Sequence, residues 1–216
     1  MDKRFAIFDM DGTLVDSMSF WQRLGREFLA SRNVTEGVES ILERIKPMTM
    51  TESSALFIRE CNIPGTPESV AAEMNAIMDG HYRRDIPLKA GAAGYLDGLC
   101  RRGVRLCVAS ATAEPLMAAC LERLGVADRF EFLLSCEEVG TGKDRPDVYF
   151  ACAHRFGAEP EDIAVFEDAV YAARTAKAAG FHTVAVYDSA GAGNWEELTA
   201  LADETVLTWT DAARAL

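Results

Sequence analysis

Residues 5–17 read Phe-Ala-Ile-Phe-Asp-Met-Asp-Gly-Thr-Leu-Val-Asp-Ser, a short apolar run that ends on Asp-Met-Asp-Gly. Four apolar residues bounded by turn formers read as a buried strand. If strand geometry persists past its end, Asp9 and Asp11 project to one side while Met10 points away. One site can then use both carboxylates. For about 70 residues after this strand only helical spacings occur: Trp21, Leu24 and Phe28; Val38, Ile41, Leu42 and Ile45; Val70, Met74, Ile77 and Met78. Thr66-Pro67 offers an N-cap and a first-turn proline, while Pro47 and Ile63-Pro64-Gly65 break the pattern, which predicts about four helices.

From residue 87 the pattern alternates short apolar runs with amphipathic helices, as in a parallel α/β sheet. The predicted strands are VRLCVA (104–109), FEFLL (130–134), DIAVFE (162–167), HTVAVY (182–187) and ETVLTW (204–209). Met117, Cys120, Leu121 and Leu124 line a helix that Gly125 ends, and Gly157 and Gly180 close two more. Each connection is long enough for a right-handed crossover. The reading is therefore a doubly wound α/β core made of residues 1–16 and 87–216, interrupted by an all-helical insert at 17–86.

The chain has 216 residues, 49% of them hydrophobic and 26% charged, which is globular composition. A chain of this size buries roughly 70% of its unfolded surface, so its core needs no disulfide or structural zinc. With 22 basic and 34 acidic side chains the formal charge is −12, and no basic run is present. Nucleic acid and anionic membrane are poor partners for such a surface; an anionic small molecule would have to be held by a local cation or aimed amides. The six cysteines show no C-x-x-C and read as reduced core thiols, which with the early charges of the N-terminus predicts a cytoplasmic, non-exported protein.

In an open parallel sheet the ligand crevice lies beyond the carboxyl ends of the strands. Polar residues arrive there as Asp9 and Asp11, Ser110, Lys143 in a loop before a helix, and the Glu167–Asp168 pair. Taken singly, each has an ordinary explanation: a turn, a helix cap, a solvated lysine, a charged helix start. A calcium loop would need glycine at position six, and here Gly12 is fourth. Gly140-Thr141-Gly142-Lys143 is not a Walker phosphate loop, because Glu137 and Asp144 stand where glycine and Ser/Thr are required. No G-x-S-x-G occurs, and the histidines at 81, 154 and 182 are scattered.

Together these pieces resemble the haloacid dehalogenase superfamily, and within it the β-phosphoglucomutase-like phosphatases with a helical cap. FDMDGTLVDS (8–17) is similar to the family's first motif, VASAT (108–112) to the second, GKDRPDVY (142–149) to the third and VFEDAVYAARTAKAAG (165–180) to the fourth. The resemblance implies a Rossmann-like core and a phosphatase that works through an aspartyl-phosphate. It implies Asp9 as nucleophile and Asp11 as general acid and then base. Mg²⁺ would be held by Asp9, the Asp11 carbonyl and Asp168, with Glu167 ligating directly or through water. Lys143, the Ser110 hydroxyl and loop amides including that of Ala111 would bind the phosphoryl oxygens.

The same resemblance makes residues 17–86 the cap, with Asp16 and Ser17 at its hinge, and the ligand a small phosphorylated metabolite for a monomer or weak homodimer. Two alternatives stand beside it: a sugar-phosphate mutase and a non-catalytic module that binds phosphorylated metabolites. Mutases of the family carry a histidine where Trp21 stands and an arginine in a cap loop where Lys46-Pro47-Met48-Thr49-Met50 has none. Ala169 and Ala172 take the places of a usual serine and glycine. The dehalogenase branch ordinarily lacks the second aspartate, so Asp11 and Asp168 argue against carbon–halogen chemistry.

Overall fold

The computed structural model describes residues 2–45, 48 and 50–216. The chain divides into two compact units, Met1–Met18 with Ile86–Leu216, and Ser19–Asp85.

In the first unit six parallel strands form one sheet: β1 (Phe5–Phe8), β2 (Arg105–Ser110), β3 (Phe130–Ser135), β4 (Ile163–Glu167), β5 (His182–Val186) and β6 (Glu204–Val206), in the order β3-β2-β1-β4-β5-β6. The strand order reverses beside β1. Phe8 registers with Val108 of β2 on one side and Phe166 of β4 on the other. The carboxyl ends of these three central strands therefore meet at the point where such sheets bind ligands.

Every residue of β1 is buried, with no alternation, because both faces of the sheet are covered. On one face Phe5, Ile7, Cys107 and Val165 pack with Tyr149, Cys152 and Phe156. On the other Phe8 stacks on Phe166 at 4.3 Å between ring centroids, with Trp209 at 6.0 Å from Phe8. Truncating Phe8 to alanine would cost about 3–5 kcal/mol by the usual scale for buried aromatics.

The insert holds α1 (Met18–Ser31), α2 (Val38–Ile45), α3 (Met50–Cys61) and α4 (Pro67–Arg84). The expected helix break at Pro47 falls outside the described residues. The Ile63-Pro64-Gly65 break lies between α3 and α4, and Thr66 caps α4 as the sequence suggests: its hydroxyl accepts from the Ser69 amide at 3.2 Å while the Ser69 hydroxyl accepts from the Thr66 amide at 2.9 Å. Leu24, Phe28, Phe57, Val70, Met74 and Tyr82 are buried in this unit. Gly25 lets α1 approach α2, since a Cβ there would sit 2.8 Å from a Leu42 methyl. Phe20 and Trp21 are half-buried, and the Trp21 indole donates to the Tyr82 hydroxyl at 3.2 Å.

The remaining helices belong to the first unit: α5 (Ala92–Arg101), α6 (Glu114–Arg123), α7 (Cys136–Val139), α8 (Asp147–Phe156), α9 (Val170–Ala178), α10 (Trp195–Leu201) and α11 (Trp209–Ala215). Two expectations need correction. The run 204–209 is a strand only to Val206, because Thr208 caps α11 by accepting from the Asp211 amide and Trp209 already belongs to that helix. All six cysteines are free, but Cys100 is exposed and Cys61 only half-buried, so the core-thiol reading holds for Cys107, Cys120, Cys136 and Cys152. Among the described residues no helix is long and apolar enough to cross a membrane.

Candidate active site

β1 delivers Asp9 at its carboxyl end, where the Asp9 amide still donates to the Phe166 carbonyl at 3.0 Å. The chain then turns sharply. Gly12 adopts φ +82° and its amide donates to the Val15 carbonyl, while the amides of Leu14 and Val15 both return to the Met10 carbonyl. Only glycine fits here, because a side chain would meet the Asp168 carboxylate, with its Cβ 2.9 Å from Asp168 Cγ.

Asp9, Glu167 and Asp168 each offer a carboxylate oxygen, and these oxygens lie within 4.8 Å of one another. Lys143 joins the cluster from the loop between α7 and α8. Its ammonium donates to Asp9 and, at 2.7 Å, to Glu167, and all three side chains are buried. Glu167 also accepts from the Tyr149 hydroxyl at 2.8 Å. Burial would strip Lys143 of its proton, but Asp9 and Glu167 outweigh it and hold the ammonium well above the ordinary lysine value. Burial pushes Asp9 up and Lys143 opposes it. Asp168 is held at about 7, chiefly by burial and then by Glu167, against the pull of Lys143 and Lys89.

Asp11 meets different partners. Its carboxylate accepts from the Thr112 hydroxyl at 2.7 Å and from the Ser110 hydroxyl at 3.4 Å, at the end of β2. Ser110 is further tied down by accepting from the Thr112 amide at 3.1 Å. Ala111 is exposed between these two hydroxyls. Of the residues predicted from sequence, the structure thus brings Asp9, Lys143, Glu167 and Asp168 into one cluster and Asp11 with Ser110 into another.

Five participants were not singled out from sequence. Thr112 lies inside the VASAT stretch, and its two-residue spacing from Ser110 was the available signal. Tyr149 closes GKDRPDVY and orients Glu167. Thr13, fully buried, donates to Asp168 at 3.4 Å while its carbonyl accepts from the Trp209 indole at 2.9 Å. Lys89 and Asp188 pair at 2.8 Å beside this loop, with no local signal at either position.

Two buried carboxylates, Asp9 and Glu167, and the half-buried Asp168, with converging oxygens, suit a hard divalent cation, and the donor set carries no sulfur or imidazole that would favour a softer ion. The cluster is able to hold such a cation. The Asp11 carboxylate, engaged by Thr112 and Ser110, is not among the converging oxygens.

The chain is 25% identical over 207 residues to the Fructose-1-phosphate phosphatase YqaB of Escherichia coli (strain K12), covering 86% of this chain and 98% of that protein. It is 28% identical over 184 residues to the Hexitol phosphatase B of the same organism, covering 84% and 82%. Its fold superposes on a Thermotoga maritima structure assigned as a β-phosphoglucomutase with a TM-score of 0.80 at 22% identity, over 98% of this chain and 97% of that one. Residues 4–180 match the family described as haloacid dehalogenase-like hydrolase. That span contains the whole Asp9–Lys143–Asp168 constellation, and the chain belongs to the haloacid dehalogenase-like hydrolases.

Proposed function

We propose that the protein is a Mg²⁺-dependent phosphatase that hydrolyses a small phosphorylated metabolite through an aspartyl-phosphate on Asp9. The observation that carries this reading is the separation of two carboxylates on one short loop: Asp9 is set against Lys143, and Asp11 against Thr112 and Ser110. Two carboxylates in different surroundings can serve as nucleophile and proton carrier. Two relatives matched over most of their length are named Fructose-1-phosphate phosphatase and Hexitol phosphatase, which supports the same substrate class.

In the first step an Asp9 oxygen attacks phosphorus and the ester P–O bond breaks, while Asp11 gives its proton to the departing alcohol oxygen. In the second, water attacks the same phosphorus, Asp11 takes a proton from it, and the bond to Asp9 breaks to release phosphate. Lys143, the Ser110 hydroxyl and the Ala111 amide serve as donors to the phosphoryl oxygens, where charge is spread in the transition state. Asp9, Asp168 and the Asp11 carbonyl would hold Mg²⁺, with Glu167 in support, and the ion would supply positive charge to the phosphoryl group. Glu167 already serves Lys143 and Tyr149 through Oε1, which favours a supporting role. The helical insert, residues 17–86, is read as the cap that selects the substrate.

The test is phosphate release by wild type and Asp9→Asn across sugar phosphates, phosphoglycolate, nucleoside monophosphates and an aryl phosphate, with Mg²⁺ and with chelator. Turnover that disappears in both the variant and the chelated sample is expected. Turnover that survives Asp9→Asn, or a wild type inert on the whole panel, would overturn the reading.

A further inference from the structure

Gly12 is the most conformationally free residue of the catalytic loop and sits beside Asp11; the loop's own bond to the Val15 carbonyl fixes its amide, and a donor outside the turn can fix its carbonyl. Lys89 does so. Its ammonium donates to the Gly12 carbonyl, to the Tyr187 carbonyl at 2.9 Å, and pairs with Asp188 at 2.8 Å, which gives each of its three protons an acceptor. The side chains are 15% and 3% exposed. Asp188 is fixed in turn, because its other oxygen accepts from the Ala190 amide at 2.8 Å. The Lys89 amide donates to the Leu14 carbonyl at 2.9 Å, so the same residue grips the loop at both ends of its turn.

The held segment leads directly to the acidic cluster. Gly12 lies against the Asp168 carboxylate closely enough to exclude a Cβ, and Gly191, in the turn that Asp188 caps, faces the Asp168 carbonyl. A shift of Gly12 therefore displaces Asp168 or the Asp11 peptide.

We infer that Lys89, anchored by Asp188, is a positioning residue that sets the Gly12 peptide and thereby the geometry of the cation site at Asp9, Glu167 and Asp168. The inference rests on the proposed cation site. Removing the ammonium takes the ion partner from the buried Asp188 and costs stability, but the backbone of the segment stays tied without it, by the Asp16 amide to the Pro87 carbonyl and the Lys89 amide to Leu14.

The experiment titrates Mn²⁺ into metal-free protein and follows free Mn²⁺ by electron paramagnetic resonance, for wild type, Asp168→Asn, Lys89→Met, Asp188→Asn and Asp203→Asn. Asp203 lies at the amino end of β6, remote from the site, and serves as a destabilised control. Loss of an outer partner of a metal site typically weakens binding about 10- to 100-fold, so Lys89→Met should raise the Mn²⁺ dissociation constant at least tenfold. Its kcat on 4-nitrophenyl phosphate should fall while KM stays within about twofold, and Asp203→Asn should bind Mn²⁺ as wild type does. If Lys89→Met does not fold, Asp188→Asn decides by the same readout. Wild-type binding that is lost in Asp168→Asn but unchanged in the folded Lys89 or Asp188 variant overturns the inference and leaves the cation site standing. A wild type that binds no Mn²⁺ overturns both.

Discussion

One buried ammonium, that of Lys143, is shared between Asp9 and Glu167, whose side chains are 9% and 2% exposed. Neither carboxylate could keep a charge there alone, and the lysine could not either; each is tolerable because of the others. Lys143→Met removes the cation while leaving the stem, and burial then acts on Asp9 without opposition. Breaking a buried pair costs about 3–5 kcal/mol, so this variant should show that loss in urea unfolding of metal-free protein at neutral pH. Adding Glu167→Gln to it should recover part of the stability, and phosphatase activity should fall by about two to three orders of magnitude. Strictly additive losses in the double variant would show that Lys143 and Glu167 are not coupled.

The short bond from Thr112 to Asp11, 2.7 Å against 3.4 Å from Ser110, makes Thr112 the stronger partner of the proposed acid. Thr112→Val keeps the shape and removes the donor. Its kcat should fall about tenfold, matching the loss of one hydrogen bond of about 1.5 kcal/mol. The loss should be larger for an alkyl phosphate, whose leaving oxygen needs a proton, than for 4-nitrophenyl phosphate, whose does not. Equal losses on both substrates would disconnect Thr112 from proton transfer.

The strands and their carboxyl-end residues were legible because both signals are local. Four apolar residues followed by Asp-Met-Asp-Gly read as a strand end from a few neighbours alone, and so do DIAVFE and the acidic pair that ends it. Lys89 was not legible, because its acceptors lie 77 and 98 residues away and come together only when β1 and β5 enter one sheet. Tyr149 escaped for the same reason: an aromatic in a helix reads as core, and its hydroxyl finds Glu167 only across the α8–β4 packing. The overextended strand at 204–209 reflects a local conflict. Leu207 and Trp209 continue an apolar run, but the Thr208 hydroxyl caps a helix, and the cap decides.

Asp203 gives a pH signature for the core unit. Burial pushes its carboxyl up, but Lys177, the Thr183 amide at 2.8 Å and the Thr183 hydroxyl at 3.1 Å outweigh that and hold it down at about 2. A carboxyl lowered by folding contributes stability above its ordinary value near 4, and loses it as pH falls toward 2. The contribution is about 1 kcal/mol, since nearly a third of the side chain meets solvent. Asp203→Asn should thus be less stable than wild type at pH 7, with the gap closing between pH 4 and pH 2 in urea titrations. A gap independent of pH would assign the loss to packing.

His81 gives the helical unit the opposite sign. Its ring nitrogens meet Asp85 at 2.8 Å and Glu27 at 3.0 Å, and its ring lies 4.9 Å from that of Phe20, over which Arg23 is also placed. Burial favours the neutral ring, but the two carboxylates outweigh it and raise His81 above the ordinary histidine value. A raised histidine contributes its full stability below about pH 6.5 and loses it as pH rises through the folded-state value. Amide hydrogen exchange, corrected for intrinsic rates, should therefore show α1 and α4 better protected at pH 6 than at pH 8.5. His81→Gln should flatten that difference, because glutamine can bond both carboxylates but gains no charge. If the variant keeps the wild-type pH dependence, another group carries it. If both are flat, the two carboxylates hold His81 by hydrogen bonding alone.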